Sequence, residues 1–258
     1  MTRTELKVWA LTLAAALVIA HGGAAARAAS MSLEAEDDNY VRGGWSSMRQ
    51  TVQDSGGSGD DIYLKESDSG DNNTEFERRG FAKFDLAGQN ADATEAATLS
   101  FTVIGLADTS GSSSATLDVW ALNSGFTGAT DWSEGSIHWD NAPANGASNG
   151  SSPYFTSDAT MIEDGLAITS TDVTNGTLFE INIALLSDYL QSDDTVTVMF
   201  MADASDNDQE INIASSEHAT VAGPTLEFEL VPEPASLALL AVGGFVMLPR
   251  RRSRRTDA

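Results

Sequence analysis

Apolar and polar positions alternate with a period of two over much of this chain. Leu99, Phe101 and Val103 share one face of a strand, and Leu117, Val119 and Ala121 share another. Phe179, Ile181 and Ile183 alternate with Glu180 and Asn182, and Leu226, Phe228 and Leu230 alternate with Glu227 and Glu229. Val196, Val198 and Phe200 repeat the pattern. A period of two with one wet face predicts antiparallel sheet. Gly, Asn, Asp and Ser separate the runs, and Asn145-Gly146, Asn149-Gly150 and Asn175-Gly176 supply the positive φ of tight turns. Only residues 184–192 read as helical, for a turn or two. No repeat of fixed period is present. Many short strands in about 200 residues predict an all-β fold, an antiparallel two-sheet β-sandwich of jelly-roll type.

The two ends break this pattern, and each reads as a targeting segment. Residues 1–28 form a signal peptide: Arg3 and Lys7 are the basic start, residues 8–20 the apolar helix, and Ala26-Arg27-Ala28 the site for signal peptidase. The folded domain is then residues 29–231. In the tail, residues 232–258, Val231-Pro232-Glu233-Pro234 leads into an apolar run over 235–248. Pro249 and the cluster Arg250, Arg251, Arg252, Arg254 and Arg255 follow. At about 1.5 Å per residue the run spans roughly 21 Å of a ~30 Å hydrocarbon core. Snorkelling arginines extend its reach and act as a membrane stop on the cytoplasmic side. This order resembles the PEP-CTERM sorting signal, in which an exosortase recognises the Pro-Glu-Pro box and processes the tail. A membrane helix that stays uncut as a plain tail anchor is the alternative.

Charge narrows the partners. Between residues 29 and 231, six basic residues (Arg42, Arg49, Lys65, Arg78, Arg79 and Lys83) face 35 Asp and Glu, a net charge of −29. No Lys or Arg occurs between Phe84 and Pro249. Such a body repels nucleic acids and anionic membranes and collects cations; solubility in salty surroundings is the simpler consequence. Cysteine is absent, so there are no disulfides, no thiol nucleophile and no cysteine zinc site.

Asp38-Asn39-Tyr40-Val41-Arg42-Gly43-Gly44 opens the domain, and Ile62-Tyr63-Leu64-Lys65 follows. Arg79-Gly80-Phe81-Ala82-Lys83-Phe84-Asp85-Leu86 comes next, and then the block from Trp132-Ser133-Glu134 to Ile137-His138-Trp139-Asp140-Asn141-Ala142-Pro143. Ile213-Ala214-Ser215-Ser216-Glu217 and Pro224-Thr225-Leu226 close it. This order resembles the DNRLRE domain, also called carbohydrate-binding module family 96. Its members are β-sandwich modules of exported bacterial proteins, and a characterised type binds alginate, an acidic polysaccharide. The resemblance implies an exported surface or matrix protein with a non-catalytic carbohydrate-binding module. Where the family commonly has Ser-Arg-Glu near its end, this chain has Ser215-Ser216-Glu217, so one basic residue is missing. Glu34-Ala35-Glu36-Asp37 also resembles the start of other jelly-roll sugar-binding modules, where such acids hold a structural calcium.

If the strands bearing Arg42, Lys65, Arg79 and Lys83 are neighbours, these cations form one patch on an anionic body. Guanidinium groups there take uronate carboxylates bidentately. The same cations can instead pair with the abundant acids. Trp45, beside Gly43-Gly44, is the expected exposed platform for a sugar ring. Trp132 and Trp139 are expected to pack under a loop, and Trp120 shares a strand face with Asp118. Asp203, Asp206, Asp208 and Glu210, with Asn207, pack oxygens densely enough for Ca²⁺, without the EF-hand pattern; a solvated acidic loop is the alternative. For catalysis only His138 and His218 remain in the domain, far apart, and no nucleophile elbow, zincin motif or phosphate loop is present. A polysaccharide-degrading enzyme would need a cleft with paired acids, and nothing singles out such a pair. The expectation is therefore not an enzyme. An acidic, calcium-binding structural matrix protein without specific sugar binding stands as the alternative.

Overall fold

The structure is a computed structural model and describes residues 29–44, 46–53, 61–65, 77–108, 114–146, 155–202 and 209–231. Eleven strands form among these residues: β1 (Ser30–Glu34), β2 (Asp37–Arg42), β3 (Asp61–Lys65), β4 (Arg78–Asp85), β5 (Ala97–Asp108), β6 (Ser114–Leu122), β7 (Ala159–Thr169), β8 (Leu178–Ile183), β9 (Thr195–Ala202), β10 (Gln209–Ala214) and β11 (Thr225–Glu229). Their order is β1-β11-β5-β10-β3-β4-β9-β6-β7, with β2 added to β4 and β8 to β5. The pairings are antiparallel. The sheet curls as a half-barrel, in agreement with a β-sandwich.

Two strands organise this curl. The first half of β5 pairs with β8 and β11, and its second half with β10, so β10 and β11 follow one another along it. β3 pairs with β10 over its length but meets β4 only at Lys65↔Arg78. That single pair is the corner at which the sheet turns over.

The alternation expected from sequence decides what the curl encloses. Leu99, Phe101 and Val103 of β5, Ile211 and Ile213 of β10 and Leu226 and Phe228 of β11 are buried in one core with Ala82, Phe84, Leu117, Val119, Val196, Val198 and Phe200. Phe101 and Phe200 meet edge to face at 5.3 Å, although β5 and β9 are not neighbours in the sheet. The two halves therefore pack face to face. Gly80 leaves room where they meet: a Cβ there would lie 2.5 Å from Ile62 Cγ2 and 2.8 Å from Leu64 Cδ2.

One part of the expected wet face is dry. β9 is buried along its whole length. Its outward residues Met199 and Met201, with Val41 and Phe81, form a second core under Trp132, Ile137, Trp139 and Phe155. The segment after β6 folds back over this face. Phe81 meets Trp132 and Phe155 edge to face, each at 6.2 Å, and such pairs add about 0.5–1.5 kcal/mol beyond the area they bury.

Helix is sparse among the described residues: α1 (Ser46–Arg49), α2 (Ser170–Asn175) and a 3₁₀ turn at Leu186–Asp188, inside the stretch expected to be helical. α2 departs from expectation. Thr169 and Asp172 cap it reciprocally, and Gly176 ends it at φ 62°, so Asn175-Gly176 is a helix end and not a hairpin turn. No helix among the described residues is long and apolar enough to cross a membrane. Residues 1–28 and 232–258, expected to hold the signal helix and the membrane helix, lie outside the described residues.

Candidate functional site

Alternation along β4 divides its cations between two environments. Gly80, Ala82 and Phe84 face the first core, while Phe81 faces the second. Arg79 and Lys83 fall on the Phe81 side. Arg79 is 1 % exposed. Its Nε donates to Glu77 Oε1 at 2.7 Å, a second nitrogen donates to Asn145 Oδ1, and its guanidinium lies 4.4 Å from the Trp139 ring. Lys83 Nζ pairs with Asp37 at 2.7 Å and donates to the Trp132 carbonyl at 2.7 Å. On the same face Asn39 Nδ2 donates to the carbonyls of Gln53 and Glu134, and Asp37 accepts from the Glu134 amide. Arg79, Lys83, Asp37 and Asn39 thus tie the loop cover to the sheet. The single patch expected of Arg42, Lys65, Arg79 and Lys83 does not form, because a one-residue step along a strand reverses the face.

The other face of β4 gathers a different set. Arg42 of β2 is the register partner of Arg78, which is also the partner of Lys65 on β3. Lys65 in turn is paired with Glu210 on β10. Three cations and one carboxylate therefore lie in one row across four strands. Lys65 Nζ reaches Glu210 Oε1 at 2.8 Å. The Tyr63 hydroxyl also donates to Glu210, and its ring lies 4.3 Å below the Arg78 guanidinium and 5.9 Å from Tyr40.

The electrostatics follow from this packing. Burial and the neighbouring Arg42 both lower the pKa of Arg78, while Tyr63, Tyr40 and Glu210 act in the opposite sense. Burial and the bond to Glu210 raise that of Tyr63. Burial alone would raise Glu210, but the hydrogen bonds from Lys65 and Tyr63 prevail and lower it. A row of this kind offers a carboxylate charge-assisted hydrogen bonds from a half-buried surface, where they are stronger than in water. Sequence reasoning chose Arg42 and Lys65 but passed over Arg78, Tyr40 and Tyr63. The signal was available: Lys65 ends one strand and Arg78 opens the next.

A second feature lies farther along β2. Asp38 is fully buried. Its Oδ2 accepts from the Ser216 amide at 2.7 Å, whereas Oδ1 and the neighbouring Ser215 Oγ are buried without a hydrogen-bond partner. Burial pushes the carboxyl up to about 7, against the pull of Ser216, with Glu217 and Glu134 adding to the rise. The opening and closing blocks of the domain sequence meet here.

Trp45, Asp203, Asp206 and Asp208 lie outside the described residues, as do Pro232, Glu233, Pro234, Arg250, Arg251 and Arg252. Val231 is described and exposed. Glu210 is engaged by Lys65 and Tyr63. Trp132 and Trp139 are buried under the loop, as their motif suggested, and Trp120 is half-buried against Phe155 at 5.5 Å. Among the described residues no three His, Asp or Glu side chains are grouped to hold a metal ion. An open depression of about 240 Å³ between Leu86, Gly88, Asn90, Ala91, Leu190 and Asp194 has one carboxylate and no aromatic ring.

The profile of carbohydrate-binding module family 96 matches residues 29–229. The chain belongs to this family. Comparison with curated proteins gives no match. The family 96 domain thus accounts for both cores, the loop cover and the cationic row.

Proposed function

We propose that this chain is an exported, non-catalytic carbohydrate-binding protein whose ligand is an acidic polysaccharide of uronate type, such as alginate. The ligand is taken at the corner of the sheet where Arg42, Arg78 and Lys65 adjoin. The in-register row itself carries this reading. A domain with net charge −29 repels a polyanion at long range, so a bound carboxylate must be met by local cations. Arg79 and Lys83, committed to the second core, serve the fold. Trp45, three residues beyond Arg42, is retained as the stacking platform. The half-barrel is read as a jelly-roll sandwich.

Residues 1–28 direct export and are removed by signal peptidase. Val231, Pro232, Glu233 and Pro234 address the tail to an exosortase, and Arg250, Arg251 and Arg252 stop it in the membrane. The protein is then held at the envelope or released into the extracellular matrix. Ca²⁺ at Asp203, Asp206 and Asp208 would steady the segment next to Glu210, whose own oxygens serve Lys65 and Tyr63.

A glycan array probed with the protein, with and without Ca²⁺, tests the function. Retention on uronate polymers and not on neutral glycans is expected. Binding to neutral glycans alone would move the site to Trp45. Binding to none would leave an acidic structural matrix protein in its place.

A further inference from the structure

One cation of the row is held differently from Lys65 and from the basic residues outside the row. Lys65 is ion-paired with Glu210, Arg79 with Glu77, Lys83 with Asp37 and Arg49 with Asp140. Arg78 has no such acid among the described residues. Its Nε and Nη1 are buried and have no hydrogen-bond partner. Glu210 acts on it only through space, and its register partner Arg42 carries the same charge. The Tyr63 ring lies beneath its guanidinium at 4.3 Å. A half-buried cation beside a second cation, with no bonded acid, works against the fold.

We propose that Arg78 is the specificity-determining residue of the glycan site: its guanidinium takes the carboxylate of the ligand, and Tyr63, anchored by Glu210, is the floor that orients it. This rests on the acidic-glycan reading above and assigns its carboxylate to one residue. Lys65, already neutralised by Glu210, contributes less. Arg42 adds attraction from the next strand.

The assignment makes two linked demands. A residue kept for the fold loses stability when replaced. Arg78 should lose ligand and keep stability, because its removal relieves burial and like-charge repulsion while breaking no ion pair among the described residues. The test uses the full-length protein with Arg78→Met, Arg78→Lys and Tyr63→Phe, each measured by thermal unfolding without ligand and by calorimetric titration with a uronate oligosaccharide. Arg78→Met should melt at or above the wild-type temperature and bind about tenfold or more weakly, the loss of charge-assisted bonds. Arg78→Lys keeps the charge but not the planar fork, and should recover only part of the affinity. Tyr63→Phe keeps the ring but frees it from Glu210, and should weaken binding less than Arg78→Met.

A fall of several degrees in Arg78→Met would make Arg78 structural and overturn the proposal whatever the ligand. Wild-type affinity in Arg78→Met would overturn it while leaving the acidic-glycan reading intact. A wild-type protein that binds no uronate would overturn both.

Discussion

Asp38→Asn replaces one buried atom by a near-isostere and removes a titration. The folded carboxyl is pushed up to about 7, from an ordinary value of 3.8. One pKa unit corresponds to about 1.4 kcal/mol, so an ionised Asp38 costs the fold about 4 kcal/mol well above neutral pH. The sign follows from proton binding. Between these two values the folded state keeps its proton and the unfolded chain has released it. Stability due to Asp38 is therefore complete below about pH 4, falls by about 1.4 kcal/mol per unit as pH rises towards 7, and is level beyond. Asparagine keeps the oxygen that accepts from the Ser216 amide and cannot ionise. Glu217 and Glu134, which face Asp38, are present in both proteins, so their own titrations largely cancel in the difference. Urea unfolding of both proteins at pH 5 and pH 8, at constant ionic strength and in chelator, reads that difference directly. The mutant should gain on the wild type by about 2–3 kcal/mol between the two pH values. An identical difference at both would mean that the buried carboxyl does not hold its proton.

Other substitutions probe the two cores and the tail. Glu77→Ala leaves Arg79 charged and buried beneath Trp139, and should cost about 3–5 kcal/mol in denaturant unfolding; a loss below 1 kcal/mol would show that Asn145 and the rings suffice. Gly80→Ala places a methyl group against Ile62 and Leu64, and about 1–3 kcal/mol should be lost in the same assay. Removing residues 232–258 should release the protein from cell envelopes into the medium, as cell fractionation would show; unchanged fractionation would dismiss the sorting role of the tail.

Much of the fold was legible because a period of two can be read residue by residue. The faces set by Leu99, Phe101 and Val103, and by Val196, Val198 and Phe200, are the faces that the first core buries. The second core was harder to see. Met199 and Met201 sit where a one-sided sheet would carry polar residues, and only the return of Trp132 and Trp139 over them explains the choice. The α2 helix had its signal in Thr169, Asp172 and Gly176, but the Asn175-Gly176 pair drew attention to a turn. At the corner of the sheet, sequence reasoning named Arg42 and Lys65 of the row and left out Arg78. Arg79 and Lys83 were misplaced because membership of a patch depends on register and face, and both are settled by pairings distant in sequence. Arg42, Lys65 and Arg78 come together only through β2, β3 and β4.

In the proposed function the carboxylates of a glycan are read at this cationic corner. That reading is tested most directly by titrating the protein with one uronate oligosaccharide and with the same oligosaccharide after its carboxyl groups have been reduced to alcohols. The two ligands share length, linkage and ring faces and differ only in charge. Binding of the acid form and little or none of the reduced form is expected, because the ion pairs at Arg42 and Arg78 have no counterpart in an alcohol. Equal affinity for the two would contradict it and would place recognition on an aromatic platform such as Trp45.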